Sequence, residues 1–147
     1  MNNLILIAIV AFSYLYGSVP FALVVGKVFF GVDVREHGSK NLGGTNTGRV
    51  LGKKAGLAVI ILDILKCFVC VSVTKLVSKF ISLPDYAIYL SAISCVIGHC
   101  FPIFANFKGG KAVATGVGAV IAINPIIGLS GIGLFFIIAF STKYVSI

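Results

Sequence analysis

Long stretches of this sequence carry no charged side chain. Residues 4–26 and 112–142 contain neither acidic nor basic residues, and two further apolar runs are interrupted only by Asp63, Lys66 and His99. The hydrocarbon core of a bilayer is about 30 Å thick and requires about 20 apolar residues in one helix. Only 11% of all residues are charged, whereas a soluble domain has about 25%. The sequence therefore predicts an all-α, polytopic membrane helix bundle.

The apolar runs predict four to five membrane spans in one transmembrane domain over residues 1–147. The last run would measure about 46 Å as one helix, which is longer than the bilayer core, and Asn124-Pro125 lies within it. Because proline breaks or kinks a helix, we predict a short helix, a turn and a second helix there, with a single tilted, kinked span as the alternative. The predicted spans are residues 4–26, 55–74, 86–104, 112–123 and 126–142.

Basic residues predict the orientation of these spans, because positively charged loops remain in the cytoplasm. The first connection carries most of them, the second carries Lys75 and Lys79, and the third carries Lys108 and Lys111. We therefore expect the N-terminus outside and the first and third connections on the cytoplasmic face, together with Lys143 if the last run forms a hairpin. The basic residues of the first connection are Lys27, Arg35, Lys40, Arg49, Lys53 and Lys54.

The formal net charge of +8 indicates an anionic partner at the cytoplasmic face in addition to the effect of topology. Nucleic acid is disfavoured as that partner, because the basic residues lie in short connections between spans. Cys67 and Cys70 lie three positions apart on an apolar helix, with no second such pair. We interpret them as small packing residues, with a metal or redox site as the alternative.

Residues 107–116, FKGGKAVATG, place two glycines between two lysines directly before a predicted helix. Glycine lets the backbone approach a ligand, and a helix N-terminus favours an anion. Lys108 and Lys111 add positive charge, so the segment predicts a phosphate site. It differs from a Walker A loop, because Ala112 stands where Ser or Thr would hold Mg²⁺. A positively charged interfacial loop with a glycine turn is the alternative.

Residues 37–49, HGSKNLGGTNTGR, form a polar, glycine-rich segment in an apolar chain. Their hydroxyl and amide side chains offer many hydrogen bonds, and Arg49 offers a forked guanidinium suited to phosphate or carboxylate. A simple turn would not need this density of polar side chains, so we predict a ligand-binding loop, with an ordinary turn as the alternative. The short polar side chains are Ser39, Asn41, Thr45, Asn46 and Thr47.

Asp63 and Lys66 lie one helical turn apart within the second predicted span. Ionisable groups in a membrane helix are costly and usually face the protein interior. We therefore interpret them as an i,i+3 pair, with direct substrate contact as the alternative. His99 lies near the end of the third span, and we interpret it as a hydrogen-bonded structural histidine, with a catalytic role as the alternative.

Five motifs occur in an order that resembles one membrane enzyme family, the bacterial acyl-phosphate:glycerol-3-phosphate acyltransferases. The resemblance implies a multi-pass inner-membrane enzyme of about seven helices with its active site on the cytoplasmic face. It would transfer a fatty acyl group from acyl phosphate to the 1-hydroxyl of glycerol 3-phosphate. The products would be lysophosphatidic acid and phosphate, in the first step of phospholipid synthesis. The motifs are GSVPF at 17–21, GSKNLGGTNTGR at 38–49, LDILK at 62–66, GHCFP at 98–102 and FKGGKAVATG at 107–116.

The resemblance also implies roles for individual residues. Ser39 and Lys111 would be catalytic, and Lys108 and Lys111, with the backbone of Gly109 and Gly110, would hold glycerol 3-phosphate. The acyl tail would lie among the helices, open to membrane lipid, and neither a cofactor nor a metal is implied. The oligomeric state is left open. The other substrate-binding candidates are Asn41, Thr45, Asn46, Arg49 and His99.

The implied reaction is a direct displacement without an acyl-enzyme. Acyl phosphate is a mixed anhydride with a good leaving group, so the remaining task is to position two anions that repel each other and to stabilise the developing oxyanion. The resemblance implies that a substrate phosphate takes the proton of the attacking hydroxyl. His99 as the base is the alternative.

The family usually continues beyond KYVS at 143–146, with further helices and a cytoplasmic motif containing histidine and asparagine. We therefore expect a C-terminally truncated chain, and an inactive remnant is one alternative function. A small-anion transporter is another alternative function, but the binding groups of a transporter should lie near the midplane of the membrane. Here the candidate cations, Lys108, Lys111 and Arg49, are predicted to lie at one membrane surface. Gly44 stands where the family commonly has alanine, and Ala112 where it commonly has glycine.

Overall fold

The computed structural model describes residues 2–142, and within that range it contains helices and no strand. This confirms the all-α prediction. Two short 3₁₀ turns, Val34–Glu36 and Ile103–Ala105, lie in the connections. Lys143, expected at the inner face, lies outside the described residues. The helices are α1 (Asn2–Gly17), α2 (Phe21–Phe30), α3 (Gly44–Leu51), α4 (Lys53–Phe80), α5 (Ala87–Cys100), α6 (Val113–Ile123) and α7 (Pro125–Thr142).

The first predicted span consists of two helices, α1 and α2, bent by 42° at a short break. Pro20 lies at this break, and its ring nitrogen cannot donate the backbone hydrogen bond that would continue α1. Ser18, also in the break, donates its hydroxyl to the Tyr14 carbonyl at 2.8 Å. The break therefore has a cause that is visible in the sequence.

The described part of the chain holds fewer long helices than the four to five predicted spans. By length and composition, α4 and the segment Ala87–Ala105 can each cross a membrane, and the bent pair α1–α2 can form a third span. Helix α6 has 11 residues, which corresponds to about 16 Å, roughly half of the bilayer core. Helix α6 is therefore a shorter apolar helix that accompanies these spans, and the 18-residue helix α7 follows it.

The chain turns sharply between α6 and α7. Pro125 begins α7, and the side-chain oxygen of Asn124 accepts a hydrogen bond from the backbone N–H of Ile126 at 3.1 Å. Gly128 lies so close to α6 that a Cβ added to it would come within 2.7 Å of the Ile121 Cα. The last apolar run is therefore two helices folded against each other, and not one continuous kinked helix.

Small side chains fill the interior of the bundle, and large ones point outward. The two buried clusters contain mainly alanine, valine and cysteine, whereas most exposed large side chains are leucine, isoleucine, valine and phenylalanine. Gly98 of α5 packs on the Tyr14 carbonyl, and Gly118 of α6 packs on the Ile64 carbonyl, so that a Cβ at either glycine would collide. This distribution is typical of helices that associate in lipid, where small residues let backbones approach.

Cys67 and Cys70 are buried on α4 in the same cluster as Cys95 of α5. The Cys67 thiol lies 3.8 Å from the Ala92 carbonyl, within reach of a weak hydrogen bond. These contacts agree with the interpretation of the cysteines as packing residues.

Lys75 of α4 caps the C-terminus of α6. Its Nζ donates to the carbonyls of Ala122 at 2.6 Å and Ile123 at 2.9 Å. The last carbonyls of a helix have no partner within the helix, and a lysine there also complements the helix dipole. Lys75 and Lys79, expected in a connection, both belong to α4, because α4 extends beyond the predicted span and carries Lys75 to the end of its shorter neighbour.

We expect Lys75→Met to lower the free energy of unfolding by about 1.5–3 kcal/mol, the typical contribution of hydrogen bonds to a charged group. The methionine keeps the apolar stem but leaves the carbonyls of α6 without their donor. Unfolding by SDS in mixed micelles, followed by circular dichroism, measures the loss. Lys79→Met, on the exposed side of the same helix, is the matched control, and equal stability of the two variants would contradict the capping role.

Candidate active site

Asn46 organises the first polar segment from within. Its side chain is 1% exposed, and its Oδ1 accepts a hydrogen bond from the backbone N–H of Ser39 at 2.8 Å. Its Nδ2 donates to the carbonyl of Val34 at 3.0 Å and to those of His37 and Asn41 at 3.2 Å. Because both ends of the amide are occupied by backbone groups, Asn46 is part of the loop framework. Its expected place as a substrate ligand stays a prediction.

The second half of this segment is helix α3, and not the loop that was expected. Thr47 directs both its N–H and its hydroxyl to the Gly43 carbonyl at 3.1 Å, which fixes the first turn. Gly48 of α3 packs directly on Gly56 of α4, since a Cβ at Gly56 would lie 2.6 Å from the Gly48 Cα. Gly44 packs against Ile60 of α4, and a Cβ at Gly44 would collide with the Ile60 side chain.

Gly56→Ala is expected to displace α3 from α4 and to lower the free energy of unfolding by about 1–3 kcal/mol, the usual cost of overpacking. The added methyl group meets backbone atoms, which cannot rotate out of the way. Tryptic cleavage at Arg49 should become faster, and SDS titration should show the lower stability. Ala58→Val, which adds bulk to an exposed position on the same helix, should change neither quantity. Similar cleavage rates in both variants would contradict the glycine contact.

The remaining candidates in this segment are available to a ligand. Ser39, Thr45 and Arg49 are exposed, and Asn41 is partly buried. Thr45 and Arg49 lie four positions apart on α3 and therefore share one face of the helix. The segment thus presents one guanidinium and several short polar groups on a framework held by Asn46.

The second polar segment folds back on the end of α5. We call residues Lys108–Lys111 the glycine loop. Gly109 donates its N–H to the Cys100 carbonyl at 3.2 Å, and Gly110 donates its N–H to the His99 carbonyl at 3.1 Å. A Cβ at Gly109 would collide with the His99 carbonyl, and one at Gly110 with the His99 ring. The two glycines are therefore required for close approach.

The backbone N–H groups of Gly109 and Gly110 are hydrogen-bonded within the protein, and their expected role in holding glycerol 3-phosphate stays a prediction. Both N–H groups satisfy carbonyls at the C-terminus of α5, so they do not point freely toward a phosphate. The first turn of α6 leaves backbone N–H groups without partners inside the helix. Lys108 and Lys111 are exposed, and Ala112 has a φ of +55° at the start of α6, a conformation that favours the family's usual glycine.

The two polar segments meet at one end of the bundle. A Cβ at Gly110 would lie 2.9 Å from the Leu42 carbonyl, which places the glycine loop directly beside the first segment. Next to this contact is an open cavity of about 370 Å³ to which both segments contribute, including Lys40 and Lys108. The residues that line it are Asp33, Arg35, Glu36, Lys40, Ala105, Asn106 and Lys108.

Sequence reasoning missed the contribution of Asp33 and Arg35. The Arg35 guanidinium donates to Asp33 at 3.0 Å and 2.7 Å, and Lys27 lies 3.3 Å from the same carboxylate. The Arg35 side chain therefore holds the pKa of Asp33 well below its usual range. The carboxylate stays charged at neutral pH and fixes both cations around the Val34–Glu36 turn. The sequence signal for this ion-pair cluster is one acidic residue, Asp33, between two basic residues, Lys27 and Arg35.

A buried charged cluster lies directly beneath the glycine loop. Lys66 Nζ lies 3.0 Å from Asp63 Oδ1, and both side chains are almost completely buried, at 1% and 3% exposure. This confirms the predicted i,i+3 pair. His99 is 7% exposed, and its Nδ1 lies 3.5 Å from the same Asp63 oxygen. The burial of His99 between Asp63 and Gly110 supports the structural interpretation of this histidine.

Comparison with known proteins decides the family. A family model described as glycerol-3-phosphate acyltransferase matches residues 7–147. The chain belongs to this family. Glycerol-3-phosphate acyltransferases from Acholeplasma laidlawii and Bacillus cytotoxicus are 54% and 51% identical to it, over 97% and 92% of the chain. The chain spans 63% and 66% of the length of these two relatives.

Solved structures of a glycerol-3-phosphate acyltransferase have the same fold. The crystal structure of PlsY (YgiH), an integral membrane glycerol 3-phosphate acyltransferase, in its glycerol 3-phosphate form has a TM-score of 0.85 and 38% identity. It matches 95% of this chain, which covers 68% of the solved one. The lysophosphatidic acid form gives a TM-score of 0.83 and 37% identity. The chain is therefore a membrane protein with the acyltransferase family fold.

Proposed function

We propose that this chain forms the acyl-transfer site of a bacterial glycerol-3-phosphate acyltransferase that uses acyl phosphate. The reaction gives lysophosphatidic acid and phosphate on the cytoplasmic face of the inner membrane. The observation that carries the proposal is the contact between the two polar segments, where Leu42 meets Gly110 and Lys40 and Lys108 line one cavity. One relative, solved in a glycerol 3-phosphate form and a lysophosphatidic acid form, supports the same substrate and product.

The charges of the site suit two phosphorylated substrates. Lys108, Lys111 and Arg49 are exposed at the end of the bundle where the segments meet, and each can bind a phosphate. Bringing two anions together is the main obstacle, and fixed cations remove that repulsion while holding the reacting atoms in place. The same groups, with the Ser39 hydroxyl, can donate to the oxygen that becomes negative in the transition state.

The bond changes require no covalent enzyme intermediate. The 1-hydroxyl oxygen of glycerol 3-phosphate attacks the carbonyl carbon of acyl phosphate, and the bond between that carbon and the phosphate oxygen breaks. Phosphate leaves, and the hydroxyl proton passes to a substrate phosphate. His99 is less suited to take it, because its ring is enclosed between Asp63 and Gly110. The acyl chain lies among the helices, open to membrane lipid.

The test uses membranes that contain this chain, radiolabelled glycerol 3-phosphate and one of two donors, acyl phosphate or acyl-CoA. We expect labelled lysophosphatidic acid with acyl phosphate only. Membranes without the chain give the background, and a variant extended by the C-terminal third of a relative shows whether further helices are needed. The proposal would be overturned if acyl-CoA gave as much lysophosphatidic acid as acyl phosphate. It would also be overturned if neither this chain nor the extended variant gave product.

A further inference from the structure

We infer that Asp63, Lys66 and His99 act together as a positioning unit that holds the glycine loop beside the first polar segment. The catalytic consequence of this inference rests on the proposed function, whereas the contacts themselves do not. None of the three residues is placed against substrate. They act through the position of Lys108 and Lys111.

The unit joins parts of the chain that are distant in sequence. Lys66 Nζ donates to the Val19 carbonyl at 3.2 Å, in the break between α1 and α2, and lies 5.5 Å from the centre of the Phe21 ring. The same Asp63 oxygen lies 3.0 Å from Lys66 Nζ and 3.5 Å from His99 Nδ1. The unit therefore connects the break in the first span to the end of α5.

His99 transmits this connection to the glycine loop. Its Nδ1 faces Asp63, and its Nε2 faces Gly110, where no Cβ could fit. Its backbone carbonyl accepts the Gly110 N–H at 3.1 Å. The ring and the carbonyl of one residue thus fix Gly110 from two directions. On its other side, Gly110 contacts Leu42 of the first segment.

Stability alone does not account for a charged pair at this depth. Removing two ions from water costs several kcal/mol for each ion, and apolar residues of similar volume often replace a buried pair without loss. An ion pair differs from such residues because opposite charges must stay close together, which restricts where each partner can lie. Here Asp63 Oδ1 keeps Lys66 Nζ at 3.0 Å and His99 Nδ1 at 3.5 Å, and through His99 this restriction reaches the glycine loop.

The experiment measures backbone hydrogen exchange by mass spectrometry in lipid nanodiscs, for the wild type and Asp63→Asn. We expect exchange in residues 106–112 to become about tenfold faster, which corresponds to about 1.4 kcal/mol of local stability. Peptides from the middle of α4 and from α6 should keep their wild-type rates. The matched control is Thr74→Val, which changes a buried polar residue of the same helix whose hydroxyl donates to the Cys70 carbonyl one turn earlier. It should leave the loop unchanged.

The Asp63→Asn variant leaves the Lys66 ammonium without its anion and can misfold for that reason. A second variant keeps the test decisive in that case. His99→Gln keeps the Asp63–Lys66 pair and removes only the imidazole ring that contacts Gly110. It should also raise exchange in the glycine loop. Unchanged loop exchange in both variants, or a uniform rise over all helices, would overturn the inference.

Binding of glycerol 3-phosphate, measured by calorimetry on the same samples, separates this inference from the proposed function. Wild type and Thr74→Val should bind alike, and Asp63→Asn and His99→Gln about tenfold more weakly. If the wild type does not bind, the proposed function fails, and the exchange rates still decide the positioning role. If all four proteins bind equally, the positioning unit does not act on the site and the inference is wrong.

Discussion

Lys66→Met is expected to lower the free energy of unfolding by about 3–5 kcal/mol, the effect of breaking a buried ion pair by removing one partner. The variant leaves the Asp63 carboxylate, only 3% exposed, without its cation, and it also removes the hydrogen bond to the Val19 carbonyl. SDS-induced unfolding followed by circular dichroism measures the loss.

The double variant Lys66→Met/Asp63→Leu is the informative control. It removes both charges, so no ion stays buried without a partner, and we expect most of the stability to return. The fast exchange of the glycine loop should nevertheless remain, because His99 has lost its partner. A double variant that is as unstable as Lys66→Met would show that the charge imbalance is not the cause.

Lys111→Ala is expected to reduce the formation of lysophosphatidic acid by about 10²–10³-fold, the range for loss of one group that stabilises the transition-state charge. Lys111 is exposed at the end of the glycine loop, directly before α6. Its removal should leave the fold intact, because within residues 2–142 its exposed ammonium group makes no hydrogen bond or ion pair. Initial rates with acyl phosphate in membranes measure the effect.

Lys54→Ala provides the matched comparison for Lys111→Ala. Lys54 is also an exposed lysine near the start of a helix, and it belongs to the connection predicted to lie on the same face of the membrane. We expect this variant to keep the wild-type rate. If both variants lose activity to the same extent, Lys111 contributes only to the general positive potential of this face.

The sequence predicted the features that depend on local composition. Apolar runs predicted helices, and the spacing of Asp63 and Lys66 predicted their pairing, because one turn of an α-helix places such residues side by side. The turn at Asn124-Pro125 follows from the missing N–H of proline and the capping side chain of asparagine. In each case neighbouring residues supply the whole cause.

Features that depend on contacts between distant residues were not predicted. Helix α3 contains glycines that disfavour helix, and it packs on α4 through Gly48 and Gly56, which only the tertiary structure brings together. The framework role of Asn46 and the occupied N–H groups of the glycine loop have the same origin. A polar side chain in a loop looks alike in sequence whether it binds a ligand or the loop's own backbone.

The size distribution of the side chains has a consequence for how this fold tolerates change. Leucine in the membrane gains nothing by leaving lipid for another helix, so contact between closely approaching backbones holds the helices together. At Gly98 and Gly118 even one methyl group would wedge two helices apart. Outward-facing leucine, isoleucine and phenylalanine can be exchanged for one another freely. Substitutions inside the bundle are therefore limited by side-chain volume. Substitutions on its outer surface need only keep the side chain hydrophobic.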